Sequence, residues 1–123
     1  MYSTDYFDQL FAEKVRSRFS NAKHFYTKCL DQVSKSDGSG YLFKLEGEYT
    51  DGVIKLNQEI DKMHSKCLRE LEDKRFTSQK EYVSYCHSIL DGRVESFLQY
   101  YSDELKEKLQ RTVVHYLSMT GKL

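Results

Sequence analysis

An elongated, antiparallel three-helix bundle with coiled-coil-like packing, all-α throughout, is what these residues point to. Three observations carry that expectation. Proline is absent from all 123 residues, where ordinary usage of about 5% would supply roughly six. Proline breaks helix interiors by removing a donor and clashing with the preceding turn, so its absence permits long helices. Apolar residues recur in steps of three and four along most of the chain, which lays them on one helical face. Charged residues make up 31% of the sequence, as long solvated helix faces require.

The first helix is expected over residues 4–34. Thr4 or Ser3 serves as its N-cap, and Asp5 and Asp8 complement the positive end of the helix. Its apolar face reads Phe7, Phe11, Val15, Phe19, Ala22, Tyr26, Cys29 and Val33. The stretch SKSDGSG, residues 34–40, is rich in residues that stop helices. Neither flank is large enough for a domain, so it reads as a turn between neighbouring helices rather than a linker. The whole chain, 1–123, is then one helical domain.

The second helix is expected over 42–74, with Leu42, Leu45, Tyr49, Val53, Leu56, Ile60, Met63, Cys67 and Leu71 in register. Gly47 and Gly52 weaken its first half, at about 1 kcal/mol each relative to alanine. Regular helix beginning only near Thr50 or Asp51 is the alternative. A turn follows around DKRFTS, after which Ser78 and Glu81 have the spacing of a capping box. The third helix, 78–119, carries Val83, Cys86, Leu90, Val94, Phe97, Tyr101, Leu105, Leu109, Val113 and Tyr116. Unbroken, it would be about 60 Å long, and Asp91–Gly92 is the place for a bend or break. Four-residue spacings suggest surface pairs Asp51–Lys55, Glu70–Lys74, Glu104–Lys108 and Glu107–Arg111, each worth tenths of a kcal/mol.

Composition narrows the functional classes. Lys plus Arg and Asp plus Glu each total 19, and a dedicated polyanion binder normally shows a basic excess. No run of about 18 apolar residues marks a membrane span, and the N-terminus lacks the pattern of a signal peptide. Three cysteines, at 29, 67 and 86, are an odd and widely spaced set. They suit a cytoplasmic or other reducing intracellular compartment.

Chemistry-bearing patterns are few. In EYVSYCH, residues 81–87, Cys86 falls in the apolar register while His87 points about 100° away. Cys67 and His64 come near the same level, yet three ligands without a standard pair spacing do not make a closed zinc site. The thiols read as small core side chains. No phosphate-cradling glycine loop, HExxH or repeated Glu-x-x-His motif occurs. The chain reads as a non-enzyme with no cofactor.

Two features suggest binding. Lys14, Arg16, Arg18, Lys23 and Lys28 form a basic stretch with no acid between them, a candidate anion-binding face. The third helix has an apolar surface wider than two neighbours require, edged by tyrosine, a residue enriched at interfaces. Tyr82, Tyr85, Ile89, Leu98 and Tyr100 are the candidate partner-binding residues. The expected function is a protein-interaction or scaffold module associating through the third helix, with a protein partner or a second copy as a homodimer. The rival is a bundle binding membrane or anionic lipid, BAR-like in shape. Nucleic-acid binding ranks third.

Overall fold

The computed structural model describes residues 3–34 and 39–121. Helix α1 spans Asp5–Ser34 and α2 spans Ser39–Asp73. The third rod is α3 over Gln79–Ile89, a π-helical turn over Leu90–Val94, and α4 over Glu95–Met119. No strand occurs among the described residues. The expected turn at 34–40 falls largely on residues 35–38, which lie outside those described.

The rods pack as an antiparallel three-helix bundle. Phe7 and Phe11 of α1 share one core cluster with Cys67 and Leu71 of α2 and with Tyr82 and Cys86 of α3. At the other end Cys29 and Val33 meet Leu45, Val113 and Tyr116. The direction of α2 is therefore opposite to that of its two neighbours. Local signals set the boundaries. The Ser78 hydroxyl accepts from the Glu81 amide at 3.1 Å, capping α3. The Glu81 carboxylate reaches back to the Thr77 amide and hydroxyl rather than to Ser78, one residue beyond an ordinary capping box. Gly121, with φ of 71°, turns the chain just past α4.

α2 starts at Ser39, three residues before the expected Leu42, and runs through both glycines. Packing holds its first turns in place. Leu45 is fully buried. Tyr49 stacks flat on Tyr26 with centroids 4.2 Å apart, and Tyr41 meets the Tyr116 ring edge-on at 5.0 Å. Gly52 is the seat of Leu105, since a Cβ built there would lie 2.3 Å from Leu105 Cδ1. The glycine that looked like a weak point permits α2 and α4 to touch closely.

The π turn decides which side chains of the third rod face inward. Tyr82, Cys86, Leu90, Val94, Leu98 and Ser102 are all buried, in unbroken steps of four. On an α-helix each such step overshoots a full turn by about 40°, so five steps would carry the face about 200° around. A π turn absorbs one extra residue and removes about 100° of that drift. The remaining spread matches the width of one apolar stripe. The expected bend at Asp91–Gly92 is thus no break. Backbone dihedrals stay helical at both ends of the π turn.

Val83, Phe97 and Tyr101, expected on the core face, pack against the core cluster but stay half-buried, while Tyr82, Leu98 and Ser102 are fully buried. A single register spanning both sides of the π turn splits the difference between two faces that are offset.

Gly52→Ala is expected to destabilise the fold, because overpacking against buried Leu105 costs about 1–3 kcal/mol and exceeds the gain in helix propensity. A Cβ at Gly92 meets nothing within 4 Å, so Gly92→Ala should stabilise by about 0.5–1 kcal/mol. Urea unfolding of the two variants checks the opposite signs.

Candidate functional site

The cysteine–histidine stretch resolves into core and surface. Cys86 is buried and His87 is exposed. Cys29, Cys67 and Cys86 are all free and buried, and burial pushes each thiol pKa up. A thiol held in its neutral form is a poor nucleophile and a poor metal ligand. His64 turns away from Cys67, with Nε2 2.7 Å from Asp8 Oδ1 and its ring against Phe11. No group of three or more His, Cys, Asp or Glu among the described residues is arranged to hold a metal ion.

Three of the five candidate partner-binding residues are interior. Tyr82, Ile89 and Leu98 belong to the core cluster at the α3 end of the bundle. The Tyr82 hydroxyl donates to the Ser3 carbonyl at 2.5 Å, and burial together with Cys86 pushes its pKa up to about 12. Tyr85 is half-buried, with its ring beside Phe76 and Lys74 Nζ 4.1 Å above it. Tyr100 alone projects, at 64% exposure. The continuous tyrosine-edged patch expected from the sequence is therefore not formed. The physical reason is that Tyr82, Cys86 and Ile89 form one inward face in ordinary helical steps, and the π turn brings Leu98 onto that face.

The basic stretch also divides. Lys14 Nζ lies 3.1 Å from Glu95 Oε2 and 3.4 Å from Asp91 Oδ1. Arg18 pairs with Glu95 and donates to Gln99 Oε1 at 2.6 Å. Arg16, Lys23 and Lys28 remain exposed. Two of the five candidate anion-binding cations thus tie α1 to the π turn and the start of α4. On its other side Arg93 donates to both Glu70 carboxylate oxygens at 2.7 Å, joining the π turn to α2. Arg93 holds the Glu70 carboxyl below its ordinary value.

Next to this belt, the Tyr6 hydroxyl sits 2.7 Å from His87 Nε2, while His87 Nδ1 is 4.0 Å from Asp91 Oδ2. A carboxylate, imidazole and phenol in line invite comparison with acid–base relays. Asp91 is too distant from Nδ1 to orient the ring by a hydrogen bond, and Lys14 shares its charge.

Two further features were not anticipated. An open cleft of about 730 Å³ lies at one end of the bundle, lined by Leu71, Phe76 and Tyr82 together with Lys74, Arg75 and Glu72. Phe43 and Ile54 of α2 are 76% and 52% exposed. Eleven residues apart, they fall within about 20° of each other around the helix. Their spacing was readable in the sequence as a second, outward face on α2. No helix among the described residues is long and apolar enough to cross a membrane. Compared with protein-family models, curated proteins and solved structures, the chain matches none.

Glu70→Gln should lower stability by about 1 kcal/mol at pH 7, a modest figure because both partners are about a third exposed. A carboxyl with a depressed folded-state pKa stabilises above its unfolded value of 4.5 and loses that contribution as pH falls through the folded value. Unfolding curves of the two proteins should therefore converge as pH drops below 4.5. An equal gap at pH 7 and pH 3 would rule out the ion pair as its source.

Proposed function

We propose that this protein is a non-enzymatic helical interaction or scaffold module. The observation that carries the reading is the exposure of Phe43 and Ile54 on one outward line of α2. Both sit in a fold whose core is already filled by other side chains at each end. Large apolar side chains aligned on a surface mark sites where another molecule excludes water. Tyr100 adds a separate exposed ring on α4.

The proposed association surface differs from the sequence expectation, which put it on Tyr82, Tyr85, Ile89, Leu98 and Tyr100 of the third helix. The lipid-binding and nucleic-acid-binding readings draw on the basic stretch, and the pairing of Lys14 and Arg18 with Glu95 leaves them less support. Arg16, Lys23 and Lys28 are the cations that would have to serve them.

A photo-crosslinking amino acid at Phe43, Ile54 or Tyr100 tests the reading in the cell that makes the protein, with Gln110 as an exposed polar control. Discrete protein adducts are expected from at least one of the three apolar positions and none from Gln110. If all three positions give nothing, the interaction-module reading fails.

A further inference from the structure

We infer that the outward face of α2 is the seam of an antiparallel homodimer, in which α2 of one chain lies along α2 of a second copy. The inference rests on the interaction-module reading and specifies its partner. It starts from Gly40, Phe43, Gly47, Thr50, Ile54 and Asn57, all six exposed. Their steps alternate three and four, the pattern whose repeat of about 3.5 residues per turn winds two helices into a left-handed coiled coil. None of the six is charged, in a chain where 31% of residues are. The core-facing stripe of α2, with Leu45, Leu56 and Ile60, lies on the other side of the helix.

The order of sizes along this line identifies the partner. Run antiparallel about a two-fold axis between residues 48 and 49, each residue meets the one whose number completes a sum of 97. Phe43 then packs on the second copy's Ile54, Gly47 on the second copy's Thr50, and Gly40 on the second copy's Asn57. Small residues meet at the centre, where two helix backbones must approach, and bulky apolar residues close both ends. Each contact occurs twice, as an isologous interface requires. A Cβ built at Gly47 meets nothing within 4 Å in the monomer. The packing of the chain itself therefore gives no reason for glycine there, whereas close approach of another helix does.

Charge complementarity on the flank favours the same partner and the same direction. Lys44 and Asp51 are exposed and form no ion pair among the described residues. The Asp51–Lys55 pair expected from spacing does not form, because Lys55 bonds Glu104 at 2.9 Å. In the antiparallel arrangement Lys44 flanks Phe43 on the side where the second copy presents Asp51, and the reciprocal pair forms across the axis. In a parallel arrangement Asp51 would instead face the second copy's Glu46 across the seam, which is repulsive.

Sedimentation equilibrium of the full chain from micromolar to millimolar concentration tests the proposal. The unaltered protein should show reversible dimerisation. Lys44→Asp should weaken it about tenfold or more, and Lys44→Asp with Asp51→Lys should restore it to within about threefold. Gly47→Arg should abolish the dimer while leaving helicity unchanged, since the monomer has open space at that position. The paired change Phe43→Cys and Ile54→Cys should give a disulfide-linked dimer on oxidation, and Phe43→Cys alone should not. A strictly monomeric protein at millimolar concentration, no effect of charge reversal, or equally good cross-linking through Phe43→Cys alone would each overturn the antiparallel homodimer. Photo-adducts at Phe43 separate this failure from that of the wider reading. An adduct at twice the chain mass supports the second copy. An adduct of another mass with a monomeric protein leaves the module standing without it, and no adduct at Phe43, Ile54 or Tyr100 removes both.

Discussion

A helix can bury a continuous stripe only if its apolar spacing matches its turn. On the third rod that match depends on the single residue absorbed at Leu90–Val94. Upstream of the π turn the inward residues are Tyr82, Cys86 and Ile89, and downstream they are Leu98, Ser102 and Leu105. Without the absorbed residue one of these sets would face solvent while the other filled the core. The irregular turn is thus the condition for both ends of the bundle to be packed. It also carries position 102 inward, so that a serine sits in the interior between two larger apolar clusters.

Ion pairs bracket that turn on both sides. Arg93 grips Glu70 on α2, while Asp91 and Glu95 engage Lys14 and Arg18 on α1. Individually such half-exposed pairs contribute little. Together they fix the rotation of the third rod against two neighbours at the level where its register changes. The same geometry redirects charges that spacing alone assigned within a helix. Of four expected i,i+4 pairs, only Glu107–Arg111 forms, at 3.2 Å. Glu70 and Glu104 instead reach across helix seams, to Arg93 and Lys55.

The three rods, the turn before Ser78, the Ser78 cap and the burial of all three cysteines were legible because each rests on local chemistry or on periodicity over many residues. The burial of Tyr82, Ile89 and Leu98 was not, because one register was assumed to hold through Asp91–Gly92. A signal was present in the run of four-residue steps from Tyr82 to Ser102, too long for a regular α-helix to keep on one face. Gly52 could not be interpreted without knowing that Leu105 lies against it. The pairing of Lys14 and Arg18 depends on which helix lies opposite, which local spacing does not encode. Phe43 and Ile54 fall outside the expected inward register of α2, so their outward position was legible from the same spacing.

Deletion of Gly92 tests the register constraint most directly. Removing one residue from the π turn should leave a regular α-helix with Leu90, Val94 and Leu98 still facing inward. Helicity should be retained and stability should stay within about 2 kcal/mol, the loss reflecting disturbed ion pairs around Arg93 and Asp91. Deleting Gln110, where no extra residue is stored, should rotate Val113 and Tyr116 out of the core and cost more than about 3 kcal/mol. Unfolding free energies of the two deletions, measured side by side, should differ in that sense. Equal damage from both would contradict the claim that the π turn sets the register of the third rod.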